Sequence, residues 1–223
     1  MQQLIDFLRQ RLKGELPHQN IHNENLPAKL VEFILAEEKA TKERLSKKPP
    51  RICAVMMAFY EHEGDVYLPM MLRPNNSRTH PSQIAFPGGK AEKEDADLIA
   101  TAIREMEEEV GVRVHRDNII GKLSPVYIPP SNALVTPIVG FLDHKPQYIP
   151  DHSEVAEVLD VHFNDLLNPD NIRIKKVPLI NGDFLDMPAY AANDTLIWGG
   201  TARMISEMVK LMRTFDHPTL QFG

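Results

Sequence analysis

The segment "AFPGGKAEKEDADLIATAIREMEEEVGV", residues 85–112, constrains the chain more than any other. Four glutamates fall within residues 105–109, and like charges crowded on one helix repel. At 3.6 residues per turn, Glu105, Glu108 and Glu109 share one face at i, i+3 and i+4, with Thr101 beside them. Ile99, Ile103, Met106 and Val110 form a separate apolar stripe, and Glu107 falls on the solvent side. The spacing predicts a helix over 95–110 that buries its stripe against a sheet and carries three carboxylates along one edge. Two readings of this helix compete: a solvated acidic face, or a site for a cation. Arg104, four residues before Glu108, offsets only part of the repulsion.

The residues before the helix decide between them. Pro87-Gly88-Gly89 permits backbone conformations that a side chain forbids, and lets an amide or carbonyl approach a ligand closely. Alone, such a triplet means only a turn. With clustered carboxylates fifteen residues on, it suits a hard divalent cation, which takes carboxylate oxygens, retained waters and substrate phosphates.

Bulk properties narrow the partners. The chain has 223 residues, 43% hydrophobic and 25% charged, with a formal net charge of −6. This argues against broad electrostatic binding to nucleic acid or to a membrane, whereas a polyphosphate can still bind if a metal supplies the positive charge. The one cysteine, Cys53, lies in the apolar run "RICAVMMAFY" and is expected to be a small buried hydrophobe in a reducing compartment. No apolar stretch reaches membrane-spanning length and "MQQLIDFLRQRLKG" lacks a signal-peptide core, so a cytoplasmic protein is expected.

Along the chain, Leu4, Phe7, Leu8 and Leu12 predict a first helix ended by Gly14 and Pro17. Leu30, Phe33, Ile34 and Leu45 predict a second over 27–47, and "KKPPR" marks a boundary. "ICAVMMAFY" and "VYLPMMLR" read as strands joined by a turn at "EHEGD". A loop over 74–89 comes next. Further strands are expected near 119–127, 134–142 and 155–161, a short helix near 162–168, a hairpin around 181–183 and a final helix over 199–214. The layout is a helical N-terminal extension, 1–48, followed by one α/β domain, 49–223.

"GGKAEKEDADLIATAIREMEEEVGV" resembles the Nudix box, whose core reads Arg-Glu-hydrophobic-x-Glu-Glu-x-Gly-hydrophobic. Arg104, Glu105, Met106, Glu108, Glu109, Gly111 and Val112 match that core. Gly89 is one residue too far from Arg104 for the usual count, and Asp95 takes the nearest acidic position. The same lengthening is a feature of the coenzyme A diphosphohydrolase-like branch. That branch's loop signature is similar to "RPNNSRTHPSQIAFPGG", where Arg73, Arg78, Phe86, Pro87, Gly88 and Gly89 fall at the right spacings. Pro74 stands for the expected serine and Ser82 for the expected glycine. "TLIWGGTARMI" before the last helix also resembles this branch.

The resemblance implies a Nudix α/β/α sandwich with a mixed sheet, and hydrolysis of a diphosphate-linked substrate with Mg²⁺ or Mn²⁺. Glu105, Glu109 and then Glu108 are the implied metal ligands, with the Gly89 carbonyl adding an oxygen. Arg104 would orient the glutamates. Glu154 is the candidate general base outside the helix and Glu157 the weaker one; Glu108 is the candidate on it. Arg73 and Arg78 would hold phosphate through forked donors, and Gly88 would lie against substrate. The leading expectation is cleavage of coenzyme A or its derivatives to 3′,5′-ADP and 4′-phosphopantetheine. ADP-ribose, nucleotide sugars or other nucleoside diphosphate derivatives are the rival substrates, and a non-catalytic regulatory domain is a third reading. His80 and Trp198 are expected to be structural. The N-terminal helices could hold a partner or a second subunit.

Overall fold

The computed structural model describes residues 1–17, 48–76, 80–178, 182–213 and 215. The predicted helix over 27–47 lies outside these residues. Strand β1 (Arg51–His62) organises the rest. Its apolar run alternates between the two faces of the sheet. Cys53, Met57 and Phe59 enter one core, while Ala54, Met56, Ala58 and Tyr60 enter the other. A strand buried on both faces reads as continuous hydrophobicity, which is why this segment lacks a polar alternation.

β1 turns at Glu63-Gly64 into β2 (Asp65–Leu72), pairing antiparallel at Tyr60↔Tyr67. On its other side β1 runs parallel to β7 (Ala133–Phe141), from Arg51↔Ala133 to Phe59↔Phe141. The expected loop over 74–89 contains two short strands, β3 (Ile84–Ala85) on β2 and β4 (Gly88–Lys90) on β1. The expected strand over 119–127 is two strands, β5 (Ile119–Lys122) and β6 (Val126–Ile128), both on β7. Between them the backbone turns so that the Leu123 amide bonds the Pro137 carbonyl, 3.0 Å away. β8 (Glu157–His162) closes this mixed sheet against β2. A second sheet holds β9 (Ile172–Pro178), β10 (Phe184–Ala192) and β11 (Thr195–Ile197).

Helices cover both faces of the main sheet. α1 (Gln2–Arg11) buries Leu4, Ile5 and Leu8, and Phe7 lies 4.5 Å from Phe215, ring centre to ring centre. α3 (Phe163–Leu167) and α4 (Gly199–Met212) join α1 over the same core. α2 (Leu98–Val110) takes the opposite face, burying Ala102, Met106 and Val110 beside Met56 and Ala58. Each larger side chain among these, such as Met106 or Val110, stabilises the fold by roughly 1.5–3 kcal/mol once withdrawn from water. The layers are therefore helix, mixed sheet, helix. α2 starts at an Asp97 cap, whose carboxylate accepts the Ala100 amide at 2.9 Å, and stops at Gly111 in the left-handed conformation, φ +72°.

Candidate active site

The pairing of β4 with β1 lays the glycine turn along the flank of α2. The Gly88 N–H donates to Glu109 Oε2 at 2.7 Å. Its neighbour Gly89 lies flat on the other carboxylate: a Cβ there would sit 2.4 Å from Glu105 Oε2. Gly88 itself has φ +156°, and a Cβ would meet the Ala54 carbonyl at 2.4 Å. Both glycines are thus fixed by close approach, one to the sheet and one to the acid.

The three carboxylates differ. Glu109 is 3% exposed, and burial pushes its pKa up to about 8. The Gly88 amide and Arg73 pull it down, while Glu105 and Glu154 push it further up. Burial also raises Glu105, against the pull of Arg104. Glu108 is more exposed and receives Arg104 Nη1 at 2.8 Å, and Nη1 also reaches Glu105 at 3.0 Å.

Arg104 is held from the opposite side by Asp95, through Nε at 3.0 Å and Nη2 at 3.0 Å. Asp95 further accepts the Thr101 hydroxyl and the Glu92 amide, both at 2.9 Å. This forked guanidinium pair holds the Asp95 carboxyl well below the usual carboxylate range. The acidic residue at the lengthened spacing is thereby the lock between loop and helix. Its sequence signal was the displaced acid itself; Thr101, read only as a member of the acidic face, completes it.

Two further expected residues approach from other elements. Arg73 follows β2 closely enough for its charge to act on Glu109. Its Nε is buried and has no hydrogen-bond partner among the described residues. Glu154 lies in the turn before β8, and its charge acts on both Glu105 and Glu109. Glu157 is the first residue of β8, opposite Leu72. Arg78 lies outside the described residues. His80 Nε2 is a second buried atom without a partner among them, and burial followed by the Arg73 charge lowers its pKa. Ser82, where the family resemblance expects glycine, has φ +53°, the left-handed conformation glycine favours. The substitution therefore keeps a glycine-like backbone. Trp198 sits at the start of α4 with Lys175 Nζ 5.4 Å from its ring centre.

Among the described residues no three or more histidine, cysteine or acidic side chains are arranged as a ready-made metal cluster. The donor set still fits Mg²⁺ or Mn²⁺. It is all oxygen, and such ions keep waters and take substrate phosphates, so they need only one or two carboxylates. A carboxylate buried as deeply as Glu109 beside like charges ionises readily only with a cation present.

A glycine turn fused to an acidic helix, on a mixed sheet between helices, is the arrangement of a Nudix domain. The chain belongs to the Nudix family: the NUDIX domain matches residues 49–183. It is 37% identical over 132 residues to the peroxisomal coenzyme A diphosphatase NUDT7 of Mus musculus, covering 59% of this chain and 56% of that protein. It thus spans little more than half of that relative's length. It is 32% identical over 155 residues to the Nudix hydrolase NudL of Photorhabdus laumondii, covering 65% of this chain and 82% of that one. The fold matches the crystal structure of a MutT/nudix family protein from Enterococcus faecalis with a TM-score of 0.53 at 15% identity, covering 88% and 79% of the two chains. No helix among the described residues is long and apolar enough to cross a membrane.

Proposed function

We propose that this protein hydrolyses the diphosphate linkage of coenzyme A or its derivatives, giving 3′,5′-ADP and 4′-phosphopantetheine. The observation that carries the reading is the contact of Gly88 and Gly89 with Glu109 and Glu105. It puts a backbone able to approach phosphate against one buried and one half-buried acid that call for a cation. Glu105, Glu109, the Gly89 carbonyl and, on release from Arg104, Glu108 are the groups that would hold Mg²⁺ or Mn²⁺. A bound divalent ion neutralises diphosphate charge and acidifies an attacking water.

The chain's own residues supply the rest. Arg104 and Asp95 fix the side-chain directions of Glu105 and Glu108. Arg73 offers a phosphate oxygen the Nε–H that has no partner among the described residues. Glu154 takes the proton of the attacking water, with Glu108 the alternative acceptor. Gly88 lies against substrate, and Arg78 would add a second forked donor. Preference for coenzyme A is supported by the name of the mouse relative and by the glycine-like Ser82 backbone. ADP-ribose or a nucleotide sugar is the second reading. It is favoured by Pro74, which lacks both the hydroxyl and the N–H of the expected serine. A reducing compartment such as the cytoplasm suits the buried free thiol of Cys53.

The test is a substrate panel with Mg²⁺ and Mn²⁺: coenzyme A, 3′-dephospho-coenzyme A, ADP-ribose and a nucleotide sugar. Coenzyme A should turn over fastest, and loss of the 3′-phosphate should raise KM. Turnover of the last two compounds without the first would overturn the proposed substrate and leave the diphosphatase assignment standing.

A further inference from the structure

The loop between β7 and β8, residues 142–156, bears Glu154, and the structure fastens it at four points, two at the end of the Nudix box and two beyond it. The first is the end of α2. A helix leaves its last carbonyls without partners. Here the Ile149 amide bonds the Val110 carbonyl and the Asp151 amide bonds the carbonyl of Glu109, each at 2.9 Å. The second is Gly111. A Cβ there would stand 2.7 Å from Ile149 Cβ and 2.9 Å from its carbonyl, so the loop lies on the glycine itself.

The third is a tight turn. The Asp151 carbonyl accepts the amides of Glu154 at 3.0 Å and Val155 at 2.8 Å. The Asp151 carboxylate accepts the Ser153 amide at 2.8 Å. Val155 then enters the core wholly buried beside Met106 and Val110, and the Ala156 amide joins the Leu72 carbonyl at 2.9 Å. The fourth is a polar anchor at the loop's front. The Tyr148 hydroxyl donates to Asp160 on β8, the charge of the same carboxylate acts on Tyr60 of β1, and Lys145 Nζ lies 3.9 Å from it. Burial and then Asp160 raise the pKa of both tyrosines, so each remains a donor.

We infer that this clamp, Tyr148–Asp160 at one end and the Asp151–Ser153 turn hung from the Glu109 carbonyl at the other, is a positioning device that sets Glu154 against the carboxylates of α2. The same residue whose side chain faces the glycine turn thus carries, through its main chain, the loop of the candidate base. Tyr148 and Asp151 act through Glu154 and touch no substrate. The inference rests on the proposed base role of Glu154.

Four enzymes test it: Tyr148→Phe, Asp151→Ala, Glu154→Gln and the Tyr148→Phe/Glu154→Gln double variant. Asp151→Ala strips the carboxylate from the Ser153 amide while its own amide stays on the Glu109 carbonyl, and because Asp151 is exposed the core stays intact should Tyr148→Phe fold poorly. Removal of a general base costs on the order of 10²-fold or more in kcat. Displacing one costs less, and we expect about tenfold for Tyr148→Phe and several-fold for Asp151→Ala. KM and the Mg²⁺ concentration for half-maximal rate should stay within about twofold in both. The double variant should be no slower than Glu154→Gln, because a base already lost cannot be misplaced. In metal-free protein, Tyr148→Phe should speed amide exchange across residues 149–155 and leave α2 unchanged. A slow Glu154→Gln enzyme beside a fully additive double variant would overturn the clamp alone, as would wild-type kcat in both single clamp variants. Wild-type kcat in Glu154→Gln would overturn the base assignment and the inference with it.

Discussion

Two helices on opposite faces of one sheet each bury a glutamate, and the two carboxylates have different surroundings. Glu207 on α4 is fully buried, and both its oxygens are occupied by one residue: the Ser124 amide at 2.9 Å and the Ser124 hydroxyl at 2.6 Å. It ties α4 to the turn between β5 and β6. Glu109 on α2 is almost as buried but has the Gly88 amide on one oxygen, and faces the charges of Glu105 and Glu154. Buried polar groups are costly when their bonds are missing. The satisfied acid is a rivet, whereas burial and neighbouring like charges hold the crowded one back from ionising. Burial of a carboxylate does not mark a site; the balance of its partners does.

The largest expected effect breaks that symmetry. Glu109→Gln should lower metal-dependent kcat by on the order of 10³-fold, since it removes a charge that metal-assisted chemistry needs. In metal-free protein its melting temperature should hold near pH 7, where the buried carboxyl is mostly protonated, and rise above about pH 8, where the wild-type charge among like charges appears. A large fall in melting temperature with activity retained would put Glu109 in the same class as Glu207. Next is Gly89→Ala, whose Cβ would press on the Glu105 carboxylate. It should cost about 10²-fold in kcat through displacement of that group, with circular dichroism unchanged. Glu207→Gln is the converse case. The amide can no longer accept both Ser124 donors, so denaturant melts should show a loss of about 2–3 kcal/mol, with kcat within about twofold.

The smallest effect concerns the lock beside the site. Arg104 depresses the pKa of Asp95, so the stability it confers is present above the unfolded value near 3.8 and lost as pH falls through the folded value. Asp95→Asn should remove about 1.5–2 kcal/mol at pH 7. It should also flatten the acid limb of stability against pH below about 4. An unchanged acid limb would show that Asp95 does not hold Arg104 in solution.

The sequence made one of these two acids visible and hid the other. Glu109 belongs to a helical face whose period can be counted, and the glycine turn before it is local chemistry. The same periodicity placed α2, and continuous hydrophobicity placed β1. Glu207 gave no signal, because it sits among "ARMISEMVKLM", where its partner Ser124 arrives from 83 residues away. β3 and β4 were missed for the same reason: strands of two and three residues have no period, and only the register of β2 and β1 calls them into being. The approach of Arg73 and Glu154 to α2 is likewise a product of sheet order. Residues 27–47 and Arg78 contribute nothing to this comparison, being outside the described structure.

The parallel pairing of β1 with β7 has a consequence for how the protein comes into being. Residue 51 finds its neighbour only at residue 133, and contacts so distant in the chain close slowly because the intervening loop must first be ordered. During synthesis the acidic helix emerges well before β7 exists to complete the floor beneath it. A ribosome-bound chain stalled short of residue 141 would therefore carry the glycine turn and the acidic helix and yet lack both a folded platform for them and Glu154. Activity should switch on late in translation, in a single step.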